Sequence, residues 1–314
     1  MGAIAALESH LGSDAYASWH SSLKGVSGCS AGCFTALSIL LRLTMDQVQH
    51  SYPSMKNVMP QLTRDIQSLW TRLGASDVDI IIDIVIAILD HGGLSASVTM
   101  EHLYRFTRIE CVFVCTSLTH KRRVYISHTS HPNVRVVDAI AASCCIPGVF
   151  RPVSIDGEYM VDGNLLESIP VPFPRSETLY MIVGEYNVEG KDETLNASSY
   201  LMSLLTIMTR YTQQLERLPP QRCIVLSHSS AVFDPLMSDD DSVNIRFQGF
   251  VQTVSFLTLG NTNALAHILR HCIETHIRLS IHTNITTSGV EGVPPLSEPL
   301  DGAPNVECVA SLQR

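Results

Sequence analysis

The stretch Gly28-Cys29-Ser30-Ala31-Gly32 is the most informative part of the sequence. It separates a strand-like approach, Leu23–Gly28, from the apolar and helix-like run Cys33–Leu43. A serine with a glycine two residues away on each side, between a strand and a helix, is typical of a nucleophile elbow. Such a turn holds the serine at strained backbone angles, and we expect a side chain at either glycine to collide with a neighbouring element.

The predicted helix after the elbow favours negative charge at Ser30. Its first amides and the positive end of its dipole point toward the serine, where an acyl-transfer intermediate would carry its charge. We expect the amide of Ala31 to be the oxyanion donor. The motif alone is weak evidence, so a second feature elsewhere in the chain is needed to support it.

Size and composition indicate a core-forming α/β protein. The chain has 314 residues, of which 45% are hydrophobic and 16% are charged, and this composition is typical of a globular protein. Its formal net charge of −9 argues against nucleic acid as a main partner, because no basic region outweighs that charge.

The nine cysteines lack the spacing of a disulfide framework. Cys144 and Cys145 are adjacent, and no C-x-x-C pair occurs, so we expect reduced thiols that pack as small apolar residues. Reduced thiols favour a cytoplasmic location. No signal peptide is evident, and the most apolar run, Ile80–Leu89, is too short to span a bilayer. Peripheral contact with membranes or lipid droplets stays open.

Helical and strand-like segments alternate along the chain, and this alternation predicts a predominantly parallel sheet covered by helices on both faces. The clearest predicted helices are Gly2–Leu11, Cys33–Leu43 and Val136–Ser143. The clearest predicted strands are Ile109–Ser117, Glu158–Val161 and Leu179–Tyr186. We expect one domain over residues 1–280. Residues 281–314 are rich in Thr, Ser, Gly and Pro, which predicts a disordered tail.

A second feature follows in the middle of the chain. The segment Ala141–Phe150 reads AASCCIPGVF, and the segment Tyr159–Val171 reads YMVDGNLLESIPV. Together with the elbow, these blocks make the chain resemble the patatin-like phospholipases, a family of lipid acyl hydrolases that use a Ser–Asp dyad. The resemblance runs from near residue 2 to about residue 250 and rests on three blocks in the family's order.

The resemblance implies that Ser30 is the nucleophile and that Asp162 is its general base. Gly28, Cys29, Ala31 and Gly32 would form the elbow, and Gly163 and Asn164 would complete the Asp-Gly motif. The implied substrate is a phospholipid or another acyl lipid. A Ser–Asp dyad requires no metal or other cofactor, and we predict none.

The chain departs from the family pattern at two places. Family members begin with a strand and a glycine-rich loop whose amides form the oxyanion hole, whereas Met1 here falls just before the helix Gly2–Leu11. We therefore expect a fold that lacks this strand and loop. Either the sequence is truncated, or the protein is a weakened or inactive relative that binds lipid or protein. Asn164 and Glu167-Ser168 also replace the residues that the family usually has, which can alter the loop or the charge around Asp162.

Other chemistry-bearing residues have simpler interpretations. His128, His131 and His228 lie near strand ends, but we expect each to be structural. The run His120–Arg123 can meet anionic lipid headgroups, although a solvated hairpin tip is favoured. Asp234 and Asp239–Asp241 lack the spacing of a calcium loop, so we expect a solvated acidic loop.

Overall fold

The computed structural model describes residues 2–51, 73–185, 203–204, 207, 218, 222–228 and 239–258, all within one unit, Met1–Ala266. Its helices are α1 Gly2–Leu11, α2 Ser13–Ser22, α3 Gly32–Leu40, α4 Met45–Ser51, α5 Asp79–His91, α6 Met100–Thr107, α7 Val136–Ser143 and α8 Asp239–Leu257. Its strands are β1 Gly25–Cys29, β2 Gly74–Ser76, β3 Glu110–Ser117, β4 Arg122–Ile126, β5 Gly148–Phe150, β6 Val153–Ile155, β7 Glu158–Asp162, β8 Tyr180–Glu185 and β9 Cys223–His228. The predicted tail, 281–314, lies outside the described residues.

The main sheet is built around β3, which is buried from Cys111 to Ser117. This strand pairs in parallel with β1 and antiparallel with both β4 and β7, and β6 extends the sheet beyond β7. A strand with neighbours on both sides has no exposed edge, which explains its continuous apolar sequence.

The α/β prediction is confirmed, but the sheets are mixed. Among the described strands, three pairings are parallel and three are antiparallel. The expected predominance of parallel pairing is therefore corrected for this part of the chain. The reason is that β3–β4 and β6–β7 are hairpins, whose short connections permit only antiparallel pairing.

Helix α3 packs against the main sheet through residues spaced three and four apart. Cys33, Phe34, Leu37 and Leu40 are buried in one cluster with residues of α5, α7 and β3. The helix ends at Leu40, three residues before the predicted end. A Schellman motif stops it: Arg42 adopts φ 56°, and the amides of Arg42 and Leu43 donate to the carbonyls of Ile39 and Ser38.

Two further local predictions can be compared with the structure. Asp239–Asp241 form the first turn of α8 instead of a loop, since aspartate at a helix N-terminus complements the dipole; Asp234 lies outside the described residues. Six of the seven described cysteines are buried, as expected for thiols that pack as apolar residues.

Candidate active site

The turn between β1 and α3 has the geometry of a nucleophile elbow. Ser30 adopts φ 51°, a left-handed conformation that costs an ordinary L-residue about 1–2 kcal/mol. The buried Ser143 holds this turn: its Oγ accepts from the amide of Ser30 at 3.1 Å and donates to the carbonyl of Val114 at 2.6 Å. The strained turn is thus tied directly to the central strand.

The structure brings Ser30 and Asp162 together. Ser30 Oγ donates a hydrogen bond of 2.6 Å to Asp162 Oδ2, and the amide of Asn164 donates to Asp162 Oδ1 at 2.9 Å. Ser30 is 7% exposed and Asp162 is 3% exposed. Burial raises the pKa of Asp162 to about 6, although its bonds from Ser30 and Asn164 lower it in part.

The register of the sheet explains how residues 132 positions apart in the chain meet. Cys29, the last residue of β1, pairs with Val114, and Asp162, the last residue of β7, pairs with Cys115. Because β4 occupies the other side of β3 at both positions, β1 and β7 lie on the same side. The two strands run in opposite directions, so their final residues meet end to end.

The two glycines of the elbow have different roles. A Cβ on Gly28 would lie 2.7 Å from Cys33 Cα, so the expected collision is present there. A Cβ on Gly32 would meet no atom within 4 Å, so the prediction of a collision at that position is wrong. Gly32 is the exposed first residue of α3, where a side chain points away from the sheet.

Gly163 is required for a different reason, the close approach of the Asp-Gly turn to β3. A Cβ at this position would lie 2.5 Å from the Val114 carbonyl oxygen and 2.8 Å from Cys29 Sγ. The side chain of Asn164 takes part in the same packing, because its Oδ1 accepts from Cys29 Sγ at 3.3 Å. The Asp-Gly motif therefore packs directly on the residue that precedes Ser30.

The amides after Ser30 are placed where a developing oxyanion can use them. Ala31 and Gly32 are exposed and lie at the N-terminus of α3, where backbone N–H groups lack intrahelical acceptors. The positive end of the α3 dipole lies at the same place. These groups can stabilise negative charge on an atom bound to Ser30 Oγ.

Glu167, like Ser143, is a residue near the site whose partners the sequence did not indicate. Its side chain is 1% exposed, and its Oε1 accepts from Tyr125 OH at 2.7 Å and from Arg123 Nη1 at 3.2 Å. Its backbone amide donates to the Gly163 carbonyl, and its carbonyl accepts from Cys29 Sγ. This residue links β4 to both halves of the site. Its charge is balanced by Arg123, not directed at Asp162.

No described histidine forms a hydrogen bond with Ser30 or Asp162. The ring of His128 stacks on Tyr104 at 3.8 Å, and His131 Nδ1 lies 2.8 Å from Ser130 Oγ. His228 ends β9, and nothing is described of its side chain. In the hairpin tip, Arg122 and Arg123 pair with Glu158 and Glu167.

Comparison with known proteins identifies one matching family and two similar solved structures. The family model of the patatin-like phospholipases matches residues 2–174. Among solved structures, VipD from Legionella pneumophila aligns at a TM-score of 0.49 with 14% identity, over 82% of this chain and 63% of that chain. The type III effector protein ExoU aligns at 0.38 with 13% identity, over 82% of this chain and 50% of that chain. The chain therefore spans less than two thirds of either structure. A search of curated proteins gave no match.

The two elbow glycines form a matched pair for mutation. Gly28→Ala should lower the free energy of unfolding by about 1–3 kcal/mol, because the new methyl group overlaps backbone atoms that cannot move independently. Gly32→Ala should leave stability unchanged or slightly higher, because the space is open. Urea denaturation of both variants measures the difference. Equal losses in the two variants would contradict the described turn.

The adjacent residues Arg122 and Arg123 form a second matched pair. Arg123→Gln leaves the buried Glu167 carboxylate without its cation, and we expect a loss of about 1–3 kcal/mol, moderated because Arg123 is 57% exposed. Arg122→Gln affects only the more accessible Glu158, so the loss should be smaller.

Adding Glu167→Gln to Arg123→Gln removes the unpaired charge and should restore part of the stability. Urea denaturation of the single and double variants measures the coupling. The described network is wrong if Arg123→Gln costs no more than Arg122→Gln and the double variant recovers nothing.

Proposed function

The chain belongs to the patatin-like phospholipase family, and from this premise we propose that it hydrolyses the ester bonds of phospholipids or other acyl lipids through Ser30 and Asp162. The observation that carries the proposal is the 2.6 Å hydrogen bond from Ser30 Oγ to Asp162 Oδ2. A serine hydroxyl is a weak nucleophile unless a base is placed to take its proton, and this carboxylate is in place.

The proposed reaction passes through an acyl-enzyme. Ser30 Oγ attacks the acyl carbonyl carbon, and its proton moves to Asp162 Oδ2. The carbonyl oxygen becomes an oxyanion near the amides of Ala31 and Gly32. The tetrahedral intermediate then collapses, and Asp162 returns the proton to the departing alcohol. Water attacks the carbonyl carbon of the Ser30 ester while Asp162 takes its proton. The bond from that carbon to Ser30 Oγ breaks, Asp162 returns the proton to Ser30 Oγ, and the fatty acid leaves.

The burial of Asp162 suits it to this role. An ordinary aspartate is too weak a base to accept the proton of an alcohol readily, and a higher pKa brings its basicity closer to the pH at which the protein works. The pKa of Asp162 is raised to about 6 by desolvation, which still leaves the group ionised at neutral pH. One side chain can therefore act as base and then as acid.

We also propose that the protein meets its substrate by peripheral contact with a lipid surface. Leu118 and Tyr159 are 45% and 57% exposed, and the Leu118 amide donates to the Tyr159 carbonyl. They lie about 10 Å beyond the Cys115–Asp162 pair, at the end of β3 that carries the site. Among the described residues, no helix is both long enough and apolar enough to cross a membrane.

Replacement of the proposed nucleophile tests the function. Ser30→Ala should reduce fatty-acid release from a chromogenic acyl ester by at least about 10³-fold, because attack on the ester loses its nucleophile. Ser97→Ala is the control. It replaces an exposed serine outside the elbow and the Asp-Gly motif, so this variant should hydrolyse the ester at the normal rate. Equal rates in Ser30→Ala and the unaltered protein would refute the proposal.

The pH dependence of hydrolysis tests the role of Asp162. The base must be ionised, so kcat/KM should rise with pH up to about 6 and level off above it, in line with the raised pKa. Initial rates between about pH 4.5 and 8, measured with a neutral ester, give the profile. Asp162→Asn should be slow and should lose the inflection. A flat profile for the unaltered protein would exclude Asp162 as the base.

A further inference from the structure

A cavity of about 370 Å³ lies at the end of β1 that is opposite to Ser30. The end of α2, the end of α3 and the end of α6 surround it, with His20, Leu23, Arg42, Phe106 and Arg108 among its lining residues. Leu23 precedes β1 and Ser30 follows it, so the length of the strand places the cavity about 20 Å from the dyad. The cavity is therefore separate from the candidate active site.

A buried histidine fixes the guanidinium of Arg42 in this cavity. His20 is 2% exposed, and its Nε2 lies 2.6 Å from the Ile39 carbonyl, so Nε2 carries the proton and Nδ1 is an acceptor. Arg42 Nε donates to that Nδ1 at 2.9 Å, and Arg42 Nη2 donates to Ser21 Oγ at 2.9 Å. Two of the five guanidinium N–H groups are used in this way, and three remain for a ligand.

The two arginines of the cavity differ from most arginines of the described chain. Neither Arg42 nor Arg108 has a carboxylate within ion-pair distance among the described residues. The following five arginines each have one: Arg105, Arg122, Arg123, Arg135 and Arg151. In a protein whose formal net charge is −9, two cations without a carboxylate partner in the described part of the chain share one cavity.

The backbone at both positions is also unusual. Arg42 and Arg108 have φ values of 56° and 59°, a conformation for which glycine is the usual choice at a helix end. Arg42 is the second residue after α3, and Arg108 directly follows α6. A cation near a helix C-terminus complements the dipole, which is one reason for arginine there. Both arginines are exposed to solvent, and both also line the cavity, which the dipole does not require.

Part of the remaining wall of the cavity is apolar. Leu23 and Leu41 pack on the core, and Phe106 is 60% exposed at the cavity. The volume of 370 Å³ corresponds to about twelve waters at roughly 30 Å³ each, which is much larger than an inorganic anion requires. A ligand with an anionic group and an apolar body can contact both the arginines and the apolar part of this wall.

We propose that this cavity is a second ligand site, which binds a single-chain anionic amphiphile as a monomer. The carboxylate or phosphate of the ligand contacts Arg42 and Arg108, and its hydrocarbon chain lies against Leu23, Leu41 and Phe106. Fatty acids and single-chain phospholipids share this chemistry. The proposal does not depend on hydrolysis at Ser30.

Calorimetric titration of the full chain carrying Ser30→Ala tests the site without interference from catalysis. Laurate and dodecyl phosphate, both below their micellar concentrations, are the anionic probes, and their relative affinities distinguish a carboxylate from a phosphate ligand. Inorganic phosphate and dodecanol are the matched probes that lack the chain or the charge. We expect at least one anionic probe to bind, and both matched probes to bind at least about tenfold more weakly.

Arginine variants in the same background locate the binding. Arg42→Gln and Arg108→Gln should each weaken the binding of the anionic probe about tenfold, since each removes charge-assisted hydrogen bonds. Arg135→Gln, at an exposed arginine paired with Asp138, is the control and should bind normally. If Arg42→Gln does not fold because its contact with His20 is lost, Arg108→Gln carries the test, because no such contact is described for Arg108.

Three results would overturn the proposal. The first is the absence of binding by both laurate and dodecyl phosphate. The second is equal affinity for dodecanol, which would mean that the charge is not recognised. The third is unchanged affinity in Arg108→Gln, which would mean that Arg108 does not contact the ligand and acts only at the end of α6. None of these results affects the esterase assay, so each proposal is tested independently of the other.

Discussion

The meeting of β1 and β7 on one side of β3 is the constraint on which the site depends. The last residue of each strand pairs with consecutive residues of β3, Val114 and Cys115, so the register of a buried strand sets the distance between Ser30 and Asp162. A shift of one residue in either pairing would turn every side chain of that strand to the other face of the sheet. The distance between Ser30 and Asp162 is therefore set by the packing of β3 in the core.

The same burial supplies the chemistry. Desolvation raises the pKa of Asp162, and only the bonds from Ser30 and Asn164 keep the carboxylate from a larger shift. The other described polar side chains around the site hold the backbone in position and do not bind Ser30 Oγ or Asp162 Oδ2. Ser143 fixes the strained turn at Ser30, and Glu167 ties the Asp-Gly segment to β4 through Arg123 and Tyr125. The left-handed turn at Ser30 and the buried carboxylate of Asp162 are thus joined by one hydrogen bond.

Local sequence patterns predicted the helices and strands well, but they predicted the pairing of the strands less well. The helix Val136–Ser143 and the elbow follow from apolar spacing and from the glycine at residue 28, which act over a few residues. The antiparallel entry of β7 depends on contacts with β3 that are distant in sequence, so alternation of elements suggested parallel pairing instead. Asp162 was identified by resemblance, whereas the roles of Ser143 and Glu167 required coordinates. A serine at the end of a helix and a glutamate in a loop give no signal of their partners.

Covalent labelling with a fluorophosphonate probe tests the central claim most directly, because the probe reacts with a serine only when its hydroxyl is activated. Labelled protein is digested, the modified peptide is identified by mass spectrometry, and the rate is compared with that of Asp162→Asn. The account predicts modification at Ser30 and a rate at least about 100-fold lower in Asp162→Asn. Absence of modification at Ser30, or an equal rate in Asp162→Asn, would contradict it.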